Sequence, residues 1–157
     1  MKYTVAVILT DPKQPGKFLS VKRPSDDPDL CDEWGFPATS MQPDELPEDC
    51  ARRICRIKLG CDAEPKRFLG LMFQKRNSYN IFLMDIEMEV VNSTQPDVHK
   101  ADTTQTQYVD QQWTDDPMVQ MPSARKGSCC SSIFLTDRGL LDRDEWIASL
   151  EGSDLVG

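Results

Sequence analysis

Histidine is almost missing from this chain, since His99 is the only one among 157 residues. The six cysteines include no Cys-x2-Cys pair, so the ligand spacing typical of a tetrahedral zinc site is absent. Free cysteines most often pack as small apolar residues, and we favour that role here over thiol chemistry. The sequence therefore gives little support to a zinc or redox protein.

Basic residues and long apolar runs are also scarce. Lys and Arg number 18 against 26 Asp and Glu, a net charge of −8, which disfavours binding to nucleic acid or to an anionic membrane. No apolar run approaches the roughly 20 residues of a membrane span, and the N-terminal segment shows no signal-peptide cleavage site. We expect a cytoplasmic protein with a single domain over residues 1–157, in which a local basic cleft for phosphate is still compatible with the charge.

The order of apolar segments and turn residues predicts an α/β fold. Strands are expected at 2–10, 17–23, 67–76, 79–91 and about 108–113, and helices at 46–59 and about 142–151. Shorter helical pieces are expected after Asp116 and at 128–135, with 92–107 as a surface loop. In the strand 79–91, Asp85, Glu87 and Glu89 alternate with apolar residues, so we expect them on a solvated face.

The segment from Thr39 to Cys61 carries the most informative motif in the chain. It resembles the Nudix box, Gly-x5-Glu-x7-Arg-Glu-U-x-Glu-Glu-x-Gly-U, in which U is an aliphatic residue. Laid on without a gap, the pattern keeps Glu45, Arg53 and Gly60, while Thr39 stands at its opening glycine. The preceding Trp34-Gly35-Phe36-Pro37 and the earlier Lys22-Arg23-Pro24 also resemble family sequences, although Ala38 and Thr39 replace the two glycines that the family has after the proline.

The resemblance implies a Nudix-type α/β/α sandwich with a mixed β-sheet, and a hydrolase of nucleoside diphosphates linked to another moiety, using Mg²⁺ if active. By the same resemblance, Glu45 and Arg53 brace the loop against the helix, and Glu45 can also approach the metal as a catalytic carboxylate. Arg23 would contact phosphate. Read without the family, Glu45 is one of several acidic residues at a helix N-terminus, and Arg23 is a surface arginine at a strand end.

Three carboxylates of the box are replaced, by Ile54, Ile57 and Lys58. These positions lie along one stripe of the helix. Mg²⁺ is held by oxygen ligands, and this stripe offers none and adds a positive charge. We therefore predict no metal site and weak or lost Mg²⁺-dependent hydrolysis. Lys58 could instead fill the cation position, bridging to Glu45 or to a bound phosphate, or it could be solvated.

Two other functions stay open at this point. One is a non-catalytic module that binds a nucleotide or a protein, for which an exposed Ile54/Ile57 stripe would supply a partner or homodimer contact; a covered stripe would be extra core. The other is an active hydrolase whose metal site has moved to Asp110, Asp115 and Asp116 or to the acidic strand face.

Overall fold

The computed structural model describes residues 1–142 and 144. The strands are β1 (Lys2–Thr10), β2 (Phe18–Lys22), β3 (Trp34–Gly35), β4 (Ala38–Ser40), β5 (Ala63–Lys75), β6 (Asn80–Val90) and β7 (Asp110–Thr114). The α-helices are α1 (Pro47–Leu59), α2 (Met121–Arg125) and α3 (Cys129–Asp137), and short 3₁₀ turns occupy Val98–Lys100 and Pro117–Gln120. Across this part of the chain, every helix is too short or too polar to span a bilayer.

The strands form two sheets, one in the order β4-β1-β6-β5 and one in the order β3-β2-β7. The larger sheet is mixed, because β1 pairs with β6 in parallel and the other pairs are antiparallel. Alternate residues of β1 enter two different cores: Val5 and Val7 pack with α1, whereas Ala6 and Ile8 pack with α3. This arrangement confirms the predicted α/β/α sandwich with a mixed sheet.

Helix α1 has clear sequence signals at both ends. Pro47 stands in its first turn, where the missing amide hydrogen costs nothing. At the other end, Gly60 adopts a φ of 60°, and its amide donates to Arg56 O at 3.1 Å while Cys61 N donates to Cys55 O at 3.2 Å. The bond from Gly60 to Arg56 is that of the αL C-cap motif, so the box glycine ends the helix.

Some element boundaries differ from the prediction. Strand β5 begins at Ala63, four residues before the expected position, and the short strands β3 and β4 were not predicted because two or three residues carry no periodicity. Residues 92–107 are more than a surface loop. Val98 is 2% exposed, and the amides of Asp97 and Asp102 donate to the carbonyls of Leu59 and Ile57 at the end of α1. These donors satisfy carbonyls that a helix end leaves free.

Two further expectations concern the C-terminal helix and the acidic face of β6. The helix expected at about 142–151 lies, apart from residues 142 and 144, outside the described residues. On β6, Glu87 and Glu89 pair with Arg67 and Lys66, but the solvated position expected for Asp85 is wrong. Asp85 is fully buried because α3 packs on the face of β6 that carries it, and its two carboxyl oxygens have no hydrogen-bond partner among the described residues.

Candidate ligand-binding cleft

The loop before α1 is tied to the helix by one ion pair. Arg53 donates from Nε to Glu45 Oε2 at 2.8 Å and from Nη2 to Glu45 Oε1 at 2.9 Å. The same Nη2 donates to Ser40 O at 3.0 Å, and Gln42 N donates to Glu45 Oε1 at 3.0 Å. The hydrogen bonds from Arg53 lower the pKa of Glu45 to about 2, so this carboxylate stays ionised and bound to Arg53.

The helical stripe that would carry the remaining box carboxylates is covered. Ile54 is fully buried in the core that α1 shares with β1, and Ile57 is half-buried beneath the loop at Asp102. Neither side chain forms an exposed apolar contact surface of the kind considered from the sequence. The helix has therefore gained a second buried side, and residues 97–106 lie over its C-terminal half.

Lys58 is also buried, at 3% exposure, but its ammonium group reaches the edge of a cleft. Nζ donates to Thr106 O at 3.3 Å and lies 5.1 Å from the centre of the Tyr108 ring. Both contacts suit a cation, since a carbonyl oxygen accepts a hydrogen bond and the face of an aromatic ring carries a partial negative charge. Among the described residues, no carboxylate lies within 4.0 Å of this ammonium group, and Glu45 is occupied by Arg53.

The two positions at which the family has glycines carry larger residues in this chain. Ala38 N donates to the Tyr108 hydroxyl at 3.1 Å, and Thr39 Oγ1 donates to Gln105 Oε1 at 2.8 Å. Thr39 is 6% exposed, whereas Gln105 is exposed, so this polar contact lies at the edge of the cleft. The segment around 105–108 thus packs on the loop where the backbone would otherwise approach a ligand closely.

These residues do not fit a divalent cation. Within residues 1–142 and 144, no three His, Cys, Asp or Glu side chains converge in a way that could hold a metal ion. The relocated sites considered from the sequence, at Asp110, Asp115 and Asp116 or at Asp85, are included in that statement. The box stripe itself contributes two hydrocarbons and an ammonium group, and Mg²⁺ needs oxygen ligands.

The cleft beside Lys58 has a volume of about 420 Å³ and a strongly basic lining. It is enclosed by the first residues of β1, strand β4, the start of β6, the N-terminus of α3 and the loop at 105–106. Its four cationic side chains are Lys2, Arg23, Lys58 and Arg76, and the carboxylate that lines it in the described chain is Asp29. The cleft therefore carries a local excess of positive charge, although the chain has a net charge of −8.

Arg23 and Lys58, the two ligand-contact candidates from the sequence, line this same cleft. Arg23 Nη1 donates to Asp27 Oδ2 at 3.1 Å, and the side chain is 20% exposed. Burial opposes its charge, but the nearby Tyr108 and Asp27 outweigh that effect and raise its pKa. Asp27 is in turn held by the amides of Asp29 and Leu30, each at 2.9 Å. The guanidinium is therefore fixed in place at the rim.

Arg76 and Lys2 complete the cationic lining, and neither was identified from the sequence. Arg76 donates to the Tyr79 hydroxyl at 2.6 Å and to Gln74 Oε1 at 2.5 Å, while Lys2 Nζ lies 3.9 Å from the centre of the Tyr79 ring. They meet because Lys2 pairs with Ile81 at the start of β6, beside the β5–β6 turn. No local motif marks either residue, since only the pairing of distant strands brings them together.

The comparisons with known proteins agree with a mixed-sheet α/β/α sandwich that carries a braced loop–helix–loop. The NUDIX domain model matches residues 1–118. This chain therefore belongs to the Nudix family. No curated protein matches it.

Solved structures share the fold at low identity. The MutT protein from Methanosarcina mazei Go1 is 14% identical with a TM-score of 0.58, and the match covers 96% of this chain and 94% of that one. The E. coli ORF135 protein is 17% identical with a TM-score of 0.59, covering 92% and 96%. An ADP-ribose pyrophosphatase from Streptococcus suis is 15% identical with a TM-score of 0.50, covering 73% and 75%.

Proposed function

We propose that this Nudix protein binds a nucleoside diphosphate derivative in the basic cleft and that its Mg²⁺-dependent hydrolysis is weak or lost. The observation that carries the proposal is Lys58, a buried ammonium group at the cleft that stands where the box pattern has a carboxylate. A carboxylate there would repel a phosphate unless a metal ion lay between them. An ammonium group attracts the phosphate directly.

The surroundings of Lys58 support this role. Among the described residues, the buried ammonium group of Lys58 uses one of its three donors, in a hydrogen bond to a neutral carbonyl, so its charge is poorly compensated. An anion in the cleft would supply the missing acceptors and the missing charge. Arg23 and Arg76 line the same space with planar guanidinium groups, which match the oxygens of a phosphate well.

The ligand class comes from the fold and the size of the cleft. Proteins with this fold include an ADP-ribose pyrophosphatase and a UDP-X diphosphatase, each similar to this chain in fold. A volume of about 420 Å³ falls within the range of small-molecule sites, roughly 300–1,000 Å³. A diphosphate between two organic groups would use several of the cations at once.

The loss of hydrolysis follows from the charge that the reaction develops. Cleavage of a phosphoanhydride needs that negative charge neutralised and a water activated, and in this family a divalent ion supplies both. Removing one well-placed electrostatic stabiliser costs around 10²–10³ in rate. With three carboxylates replaced, we expect turnover to fall far below that of an intact site.

The test is isothermal titration calorimetry with ADP-ribose, a UDP-sugar and a dinucleotide, in EDTA and then in Mg²⁺. We expect at least one of them to bind in EDTA, and Lys58→Met to weaken that binding by about tenfold or more, as expected for loss of a charged hydrogen bond. Lys17→Met, on the exposed turn before β2, is the matched control and should bind like the parent.

Two results would overturn the proposal. One is the absence of binding by all three probes in EDTA together with rapid, Mg²⁺-dependent cleavage of any of them, which would mean an active hydrolase. The other is equal binding by the parent and the Lys58→Met variant, which would remove Lys58 from the site. Phosphate release and chromatography of the intact ligand measure cleavage separately from binding.

A further inference from the structure

The four cations of the basic cleft form two groups, each around one tyrosine ring. Lys2 Nζ lies 3.9 Å from the centre of the Tyr79 ring, and the guanidinium carbon of Arg76 lies 5.4 Å from it. We call these three residues the Tyr79 cluster. The other group, which we call the Tyr108 cluster, consists of Lys58, Arg23 and Tyr108.

The two clusters lie at opposite ends of the cleft. The Tyr108 hydroxyl accepts a hydrogen bond from Ala38 N at 3.1 Å, and Ala38 is paired with Ala6 of β1. Lys2 precedes Ala6 by four residues on this strand, which is about 13 Å of backbone at about 3.3 Å per residue. Thr4 lies between them on the same face of β1 and lines the cleft. The two phosphates of a diphosphate share one bridging oxygen, so this compact group fits against one cluster only.

The Tyr79 cluster has more positive charge than its surroundings balance. Among the described residues, no ion pair includes Lys2 or Arg76. Arg76 donates instead to the Tyr79 hydroxyl and to Gln74 Oε1, which are both neutral. The Tyr79 hydroxyl in turn donates to Asp29 Oδ2 at 3.3 Å. Two cations therefore share one carboxylate at this end of the cleft.

The start of α3 adds further positive potential beside the Tyr79 cluster. Arg76 Nη2 donates to Cys129 Sγ at 3.9 Å, and Ser128, Cys129 and Cys130 line the cleft. The first amides of a helix have no acceptor within the helix, and the helix dipole gives this end a partial positive charge. The Ser128 side chain accepts from Ser131 N, so the amides of Cys129 and Cys130 can donate to a ligand.

We infer that the ligand of the cleft is a nucleoside diphosphate derivative with a third phosphate, a monoester on a sugar hydroxyl, and that this monoester binds at the Tyr79 cluster. The inference rests on the proposed function, in which the diphosphate lies beside Lys58 in the Tyr108 cluster. A sugar hydroxyl is several bonds away from the diphosphate, so the two anionic groups are separated as the two clusters are.

The charge of the Tyr79 cluster favours a phosphate monoester over a carboxylate. A phosphate monoester carries a charge of about −1.5 to −2 at pH 7, which matches the two cations Lys2 and Arg76. The planar guanidinium of Arg76 can also donate to two of its oxygens. A carboxylate brings a single negative charge and would leave one of the two cations without a counter-charge.

Isothermal titration calorimetry in EDTA with matched pairs of ligands tests the inference. One pair is ADP-ribose and ADP-ribose 2′-phosphate, and the other is dephospho-coenzyme A and coenzyme A, which differ by a 3′-phosphate. We expect the phosphorylated member of at least one pair to bind about tenfold or more tightly than its partner, as for the gain of a hydrogen bond between charged groups. UDP-glucose and UDP-glucuronic acid form a third pair, in which we expect the added carboxylate to improve binding less than the added phosphate.

Variants of the chain locate the extra phosphate. We expect Lys2→Met and Arg76→Met each to reduce the advantage of the phosphorylated ligand by about threefold or more, because each removes one charged contact to the monoester. Lys58→Met should weaken both members of a pair to a similar degree, and Lys17→Met is the matched control that should bind both like the parent. Circular dichroism and thermal melting check that each variant folds. Lys2 is exposed, so Lys2→Met carries the test if Arg76→Met does not fold.

The possible results separate this inference from the proposed function. Equal binding by the two members of each phosphate pair, with at least one pair bound, overturns the inference and leaves the proposed function standing. An advantage that neither Lys2→Met nor Arg76→Met reduces also overturns it, because the monoester then binds elsewhere. A larger gain from the carboxylate than from the phosphate overturns the assignment to a monoester. The absence of binding by every ligand overturns the inference together with the proposed function.

Discussion

At the scale of single residues, the ion pair between Glu45 and Arg53 links stability to pH. Its hydrogen bonds lower the pKa of Glu45 from 4.5 to about 2, so the folded state favours the ionised form more than the unfolded state does. The resulting stability is fully present above pH 4.5 and is lost as the pH falls from about 4.5 to about 2.

We expect Glu45→Gln to be less stable than the parent near neutral pH by about 1–2 kcal/mol, a value that allows for solvent screening of a partly exposed pair. The difference should shrink at acid pH, because the parent has then lost the same interaction. Thermal melting of both proteins between pH 7 and pH 3 measures it. A difference in stability that stays constant across this pH range would mean that the variant is destabilised for a reason other than the loss of charge.

Asp85 has the opposite pH dependence. Burial raises its pKa well above the ordinary value, and Cys130 and Asp137 add to the shift. The folded state therefore holds the proton more tightly than the unfolded state, and this group reduces stability as the pH rises above the unfolded pKa.

We expect Asp85→Asn to be about 1–3 kcal/mol more stable than the parent at pH 7, and therefore to melt at a higher temperature. Asparagine is neutral, so its burial at pH 7 does not require the uptake of a proton. The gain should shrink as the pH falls toward 3.8 and vanish below it, where the unfolded parent is protonated as well. Glu89→Gln, a substitution nearer the surface of the same strand face, is the control and should change little at either pH. A lower melting temperature for Asp85→Asn at pH 7 would contradict the argument.

At the scale of elements, two separate structural constraints favour glycine at Gly60. Its φ of 60° favours glycine, and a Cβ built there would lie 2.8 Å from Lys100 Cβ in the turn that covers α1. Gly16 has a similar φ of 79° but open space around it. The two positions therefore separate backbone strain from the packing of the covering segment.

We expect Gly60→Ala to destabilise the chain by about 2–4 kcal/mol and Gly16→Ala by about 1 kcal/mol, since only the first adds a steric clash to the strain. Chemical denaturation of the two variants beside the parent measures both. Equal losses of stability in the two variants would show that the segment at Lys100 moves aside without an energetic cost.

The predicted and observed elements together show which of them can be predicted from local sequence. Helix α1 and strand β1 were predicted within one residue because Pro47, Gly60 and the run from Lys2 to Thr10 carry their signals locally. The sequence left open whether the Ile54/Ile57 stripe is covered, and it did not identify residues 97–106 as the covering segment, since a polar segment with one histidine shows no periodicity. Asp85 was misplaced because alternation tells which residues share a face and not what packs on that face. Arg76 and Lys2 needed the strand order, which no local pattern contains.

At the scale of the whole molecule, the charge distribution sets how metal ions act. The chain is acidic overall, but its cleft is basic and its described residues form no cluster of ligands for a metal ion. Mg²⁺ would then meet only scattered surface carboxylates. Weak, dispersed binding of this kind stabilises a fold very little.

We therefore expect millimolar Mg²⁺ to leave the melting temperature unchanged within about 1 °C, because a ligand stabilises only in proportion to its preferential binding to the folded state. The same measurement with Na⁺ at equal ionic strength is the control for general screening. A clear rise in melting temperature with Mg²⁺ but not with Na⁺ would reveal a Mg²⁺ site outside the box stripe.

The parallel pairing of β1 with β6 has a consequence for the order of synthesis. Strand β1 ends at Thr10, yet its partner ends at Val90, and the strand β4 on its other side supplies only three residues. Val5, Val7 and Leu9 leave the ribosome some eighty residues before the β6 residues with which they pair. A stalled nascent chain that stops before β6 should therefore bind chaperones and resist native collapse, whereas one that includes β6 can close the central sheet.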